Sequence, residues 1–140
     1  MRLCSIASGS SGNCIYVGSE ATHLLVDVGI SGKKAEAGLN SLGLTGRDLD
    51  GILVTHEHMD HVAGLGVMAR KYDVPIYATS GTLKEIQKMG NLGKIDPELF
   101  REVKEDVKLT IKDLTVNPMK ISHDAAQPVG YRIAYGNKKV

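Results

Sequence analysis

The sequence predicts an α/β domain whose second half turns to mostly antiparallel sheet, an α/β (α+β) arrangement. Three observations predict it. Short apolar or β-branched runs alternate with helical periodicities as far as residue 90. From residue 107 onward, strand-like runs follow one another with only Asp- or Pro-containing breaks between them. Glycine is abundant, 16 in 140 residues, while aromatics number one Phe, five Tyr and no Trp, so tight turns and an aliphatic core are expected.

Leu3 to Ala7 and Cys14 to Val17 read as short strands flanking the turn Ser8-Gly9-Ser10-Ser11-Gly12-Asn13, and His23 to Val28 as a more apolar strand. Ser31 can cap a helix through Leu42, in which Ala35, Leu39 and Leu42 recur at spacings of four and three, and Gly43 ends it. Gly51 to Thr55 is a β-branched strand. Val62, Leu65, Ala69 and Tyr72 then line one face of a single helix, so residues 56–61 join strand to helix. Val74 to Ala78 is a further strand, and Thr82 with Glu85 has the capping-box spacing for a helix ending near Gly90. Val107 to Ile111, Leu114 to Ile121 and Val129 to Tyr135 are strands, and Gly136-Asn137 is a two-residue hairpin turn before Lys138-Lys139-Val140. So short a returning strand leaves its neighbour incompletely paired, and the chain is expected to be part of a longer domain.

The length of 140 residues suits one domain and one core. Hydrophobic residues at 42% and charged residues at 24% disfavour disorder and fibrous repeats. Seventeen Lys and Arg against sixteen Asp and Glu leave a net charge of +1, so any nucleic-acid partner must be recognised locally rather than by a global basic field. No apolar run approaches the ~18 residues that would span a bilayer, and the first residues lack a signal peptide's apolar core; a cytoplasmic protein with no membrane partner is expected. Cys4 and Cys14 have no metal-site spacing and read as two buried thiols.

Three of the five histidines fall in Thr55-His56-Glu57-His58-Met59-Asp60-His61, an H-x-H-x-D-H pattern. From composition, chance would give it on the order of a few times in ten thousand such chains. Imidazole and carboxylate are the usual ligands of zinc and its neighbours. His56 and His58, two apart at a strand end, project to one side and can grip one ion. Asp60 and His61, where the helix begins, diverge from that pair and can serve a second ion, with Asp60 also capping the helix. Two ions about 3.5–4 Å apart can bind an attacking hydroxide and polarise a phosphoryl or acyl oxygen, so the pattern points to a binuclear hydrolase. Glu57 and Met59 occupy the alternate positions and point away, Glu57 as a surface carboxylate. His23 reads as a surface or internally satisfied strand histidine. Asn13 reads equally as a turn residue or a lining of the cleft. Asp27 alone is evenly balanced between a site residue and a carboxylate in the turn after a strand. His123 alone reads as a polar loop histidine.

THEHMDH after a strand resembles the second motif of the metallo-β-lactamase superfamily, and Leu24-Leu25-Val26-Asp27-Val28-Gly29 resembles the Asp-bearing motif before it. Residues 121–131, ISHDAAQPVGY, resemble the third motif of the YycJ/WalJ/VicX branch, whose N-terminal turn is similar to Ser8 through Asn13. The resemblance runs the length of the chain. It implies an αββα sandwich, incomplete at the C-terminus: two further motifs, a metal-bridging Asp and a final His, are expected beyond position 140. It implies that His56, His58 and His123 hold one metal and Asp60 and His61 the other, with Asp27 orienting the ligand loop and Asp60 serving as the catalytic residue that orients the nucleophile. The ions would be zinc or manganese, and iron also suits the ligands.

That branch is associated with 5′-to-3′ exonuclease activity on DNA. The resemblance therefore implies a metal-dependent phosphodiesterase with DNA as its substrate, working through a metal-held hydroxide. An acyl hydrolase acting on thioesters or lactones would use the same site on the same fold. A non-catalytic metal-binding unit is the third reading, motivated by the two absent motifs.

Overall fold

The computed structural model describes residues 1–9, 11–122 and 125–136, together with the backbone of 138 and 139. Its first sheet begins as a meander of β1 (Arg2–Ala7), β2 (Cys14–Gly18) and β3 (His23–Val26), paired antiparallel. It then continues in parallel through β4 (Gly51–Leu53), β5 (Ile76–Thr79) and β6 (Phe100–Val103), in the order β1-β2-β3-β4-β5-β6. Four helices make the crossovers: α1 (Gly32–Ser41), α2 (Met59–Val62), α3 (Leu65–Tyr72) and α4 (Ser80–Lys88). The second sheet is antiparallel throughout, in the order β10-β9-β8-β7, from β7 (Leu109–Ile111), β8 (Leu114–Lys120), β9 (Val129–Tyr135) and β10 (Lys138–Lys139).

Side-chain alternation along the strands divides the core in two. Tyr16, Leu25 and Ile52 pack under the helices with Ala35, Leu39, Leu65, Met68 and Ile86. Their neighbours Val17, Leu24 and Leu53 pack on the other face, against Ile111, Leu114, Val116 and Ile133 of the second sheet. The first sheet is therefore covered on both sides, and its strands read as continuous apolar runs for that reason. Each fully buried Leu or Ile here contributes roughly 1.5–3 kcal/mol relative to exposure. Helices, first sheet and second sheet are three successive layers of the expected αββα sandwich.

Several expectations change. β3 stops at Val26 because Asp27 takes a left-handed turn with φ 63°. The helix expected across residues 62–72 is two helices, split because Val28 sits between them: Val28 N–H donates to His61 O at 2.9 Å and Gly64 N–H donates to Val28 O at 2.8 Å. Ser31 caps α1 as expected, accepting from Lys34 N–H at 3.2 Å. Thr82, however, is not the cap of α4; Thr79 is, and it accepts from the N–H of Thr82. β6 has no counterpart in the expectations, because Phe-Arg-Glu-Val carries two exposed charges in four residues and gains its regularity only by pairing with β5. Ser10, Asn137 and Val140 of the expected turns and last strand lie outside the described residues.

Candidate metal centre

The His-rich segment lies at the carboxyl ends of β3, β4 and β5, the edge where open parallel sheets place their sites. Asp27, just past β3, is buried and organises it. Asp27 Oδ1 accepts from the Thr55 backbone N–H at 2.8 Å, and Oδ2 accepts from the Thr55 hydroxyl at 2.7 Å and lies 2.6 Å from His61 Nδ1. Thr55 Oγ1, which donates to Asp27, lies 2.9 Å from His56 Nδ1. One carboxylate thus sets two imidazoles, His61 directly and His56 through Thr55. Both rings turn Nδ1 into this network, so Nε2 of each is the nitrogen that would face a metal ion.

Burial acts to push the Asp27 carboxyl above the ordinary carboxylate range, against the three donors that favour its ionised form. The hydrogen bond to Asp27 raises His61 above the ordinary histidine value. The direction that governs the pair is that of His61, because an ionised Asp27 satisfies all three donors at once.

His58 precedes α2 at its N-cap without making a capping side-chain bond, and Asp60 lies inside the first turn; the expectation that Asp60 caps is corrected. Asp60 Oδ2 stands 3.5 Å from His61 Nε2. Asn13 serves both readings: its side chain closes the turn, accepting from Gly9 N–H at 3.2 Å and donating to Gly9 O at 3.0 Å, while Nδ2 also lies 3.4 Å from Asp60 Oδ2 and 3.3 Å from His61 Nε2, and its backbone N–H donates to Asp60 O at 2.7 Å. Gly29 N–H in turn donates to Asn13 O at 2.7 Å, and a Cβ on Gly29 would stand 1.7 Å from Asp60 O, so only glycine permits this approach. Glu57 is half-buried rather than a surface carboxylate. Residues 54–58 are not strand, so the alternation that predicted it does not apply, and Glu57 Oε2 accepts from Ala126 N–H at 2.9 Å. His23 is internally satisfied: its Nδ1 lies 2.6 Å from the Tyr16 hydroxyl.

The ring centroids of His56 and His58 are 4.9 Å apart and those of His56 and His61 3.9 Å. The donors fit a divalent ion by type, three imidazoles and a carboxylate. Among the described residues no three His, Cys, Asp or Glu side chains converge closely enough to enclose an ion by themselves. The remaining expected donor, His123, and its neighbour Asp124 lie outside the described residues. The sequence missed Thr55 and Glu57, whose roles rest on partners 28 and 69 positions away; Thr55 does stand directly before the histidine run, the one signal that could have pointed to it.

The profile of the metallo-beta-lactamase superfamily matches residues 7–140. The chain belongs to the metallo-β-lactamase superfamily. Superfamily members use divalent metal ions, typically zinc. The chain is 46% identical over 136 residues to exodeoxyribonuclease YycJ of Bacillus anthracis, covering 96% of this chain and 50% of that protein. It is 40% identical over 133 residues to exodeoxyribonuclease WalJ of Streptococcus pneumoniae, covering 95% of this chain and 49% of that protein. The chain spans about half the length of these curated relatives. Among solved structures, Rm3 metallo-beta-lactamase superposes with a TM-score of 0.77 at 17% identity, covering 99% of this chain and 56% of that one, a likeness of fold alone.

Proposed function

We propose that this protein, in its intact form, is a metal-dependent phosphodiesterase that degrades DNA exonucleolytically from the 5′ end. The observation that carries the reading is the Asp27 network, which orients the rings of His56 and His61 beside Asp60. The names of the relatives supply the substrate class: both are exodeoxyribonucleases, at identities of 46% and 40% over nearly the whole chain.

His56, His58 and His123 would hold one ion, and Asp60 and His61 a second. Zinc or manganese suits this set. When bound, such ions polarise the phosphoryl oxygen and acidify the attacking water. The chain's own contribution is orientation and charge. Asp27 keeps His61 and, through Thr55, His56 from rotating. Asp60 Oδ2 holds the attacking water by accepting its hydrogen, and the amide of Asn13 keeps that carboxylate aimed. The reading includes a cytoplasmic location, which a DNA substrate and the free thiols of Cys4 and Cys14 support.

The test is release of 5′ nucleotides from duplex DNA with added Mn²⁺ or Zn²⁺, run beside a panel of thioesters and lactones. Nucleotide release that disappears in the His58→Ala/Asp60→Ala variant is expected. Activity that survives the double change, or turnover confined to the acyl panel, would overturn the proposal.

A further inference from the structure

Glu57 stands between two histidines of the motif, yet the contact it makes is with the opposite wall. Its Oε2 accepts from the backbone N–H of Ala126 at 2.9 Å, joining the segment between β4 and α2 to the segment between β8 and β9. Its other oxygen, Oε1, is buried and meets no donor among the described residues. Burying a carboxylate oxygen without a partner costs about 1–3 kcal/mol, so a side chain free to swing into water would not stay there. The surrounding fold holds it in place.

The β8–β9 connection is fastened elsewhere too, but from its far side. Gln127 O accepts from the Thr79 hydroxyl at 2.8 Å, and Gln127 Oε1 accepts from Gly81 N–H at 2.9 Å. A Cβ on Gly81 would stand 2.7 Å from Gln127 Cβ, so glycine lets the two segments close. Val129 N–H donates to Thr55 O at 3.0 Å, and the Tyr131 hydroxyl donates to Val54 O at 2.7 Å. These ties draw residues 127–131 onto the ends of β4 and β5. Glu57 supplies the tie to Ala126, and it is anchored within the motif itself, between His56 and His58.

We propose that Glu57 is a positioning residue: its carboxylate fixes the spacing between the His56–His61 segment and residues 125–127, and by doing so tightens metal binding at the centre. The second half of this inference rests on the metal-centre reading above; the first half does not.

The experiment compares the full wild-type chain with Glu57→Gln, Glu57→Asp and Glu57→Ala. Two quantities are read: hydrogen exchange at the Ala126 amide in metal-free protein, and the zinc dissociation constant by chelator competition. Glu57→Gln retains a carbonyl that accepts from Ala126, so both quantities should stay within about threefold of wild type. Glu57→Asp keeps the charge but draws the acceptor back by one methylene. It should exchange at Ala126 about tenfold faster and bind zinc about tenfold more weakly, while amides of β4 and β5 keep their protection. Glu57→Ala should match it, and if that variant does not fold, Glu57→Asp decides. Unchanged exchange in Glu57→Asp overturns the tie, and faster exchange with unchanged zinc affinity overturns the link to the metal. A wild-type chain that binds no zinc overturns the metal-centre reading and with it that link, while the exchange comparison still decides the tie.

Discussion

His61 Nδ1 and Asp27 Oδ2 lie 2.6 Å apart, joining a carboxylate at the exit of β3 to an imidazole 34 positions later. The bond joins the turn that follows β3 to the first turn of α2, beyond the carboxyl end of β4. Strand register sets Thr55 beside Asp27, while His61 is brought to the same carboxylate by α2, held there by the backbone bond from Val28 N–H to His61 O.

Asp27→Asn should separate orientation from folding. It keeps the volume and one acceptor but cannot satisfy Thr55 N–H, Thr55 Oγ1 and His61 Nδ1 together. Zinc affinity is expected to fall by about ten- to a hundredfold, as measured by chelator competition, with the circular dichroism spectrum retained. Asp27→Ala, which leaves buried donors unpaired, should lower the melting temperature as well.

The same pair makes metal-free stability depend on pH. The hydrogen bond to Asp27 raises His61 above its ordinary value of 6.5, so the protonated imidazole stabilises the folded state. That contribution is fully present below 6.5 and is lost as pH rises through the raised folded value. Melting in EDTA should therefore shift downward as pH is increased above 6.5, and Asp27→Asn should flatten the shift.

Gly29→Ala tests the close approach of the two motif segments. The added Cβ would stand 1.7 Å from Asp60 O and 2.2 Å from Asp60 C, both backbone atoms with little room to give. Destabilisation at or above about 3 kcal/mol in urea titration is expected, because overpacking against rigid backbone exceeds the usual core cost. Any folded fraction should bind zinc more weakly than wild type.

The two cysteines should react differently. Cys14 is fully buried, and burial together with the nearby Asp27 charge pushes its thiol up to about 12, whereas Cys4 is half-buried. Ellman's reagent at pH 8 should titrate one thiol in the native protein and two in urea. Loss of native reactivity in Cys4→Ser would assign it.

The candidate donors His56, His58, Asp60 and His61 were legible in the sequence because they fall within six positions, and local spacing alone groups them. The strands β1 to β5 and β7 to β9 and three helical regions were legible because their apolar periods are strong. The break between α2 and α3 was not, since it comes from Val28, in the segment after β3, inserting its backbone between them. β6 was not, since its order comes from β5 beside it.

By itself the sequence determined the chemistry of this protein: which side chains carry imidazole and carboxylate, and that a strand delivers them to a helix. The tertiary structure decided their arrangement. Asp27 became the hub of the network only when parallel pairing of β3 and β4 aligned Val26 with Leu53 and brought Thr55 beside it. Asn13 reached Asp60, and Glu57 reached Ala126, only by folding segments 47 and 69 positions apart into contact. Such hydrogen bonds depend on distances in space that no local period encodes.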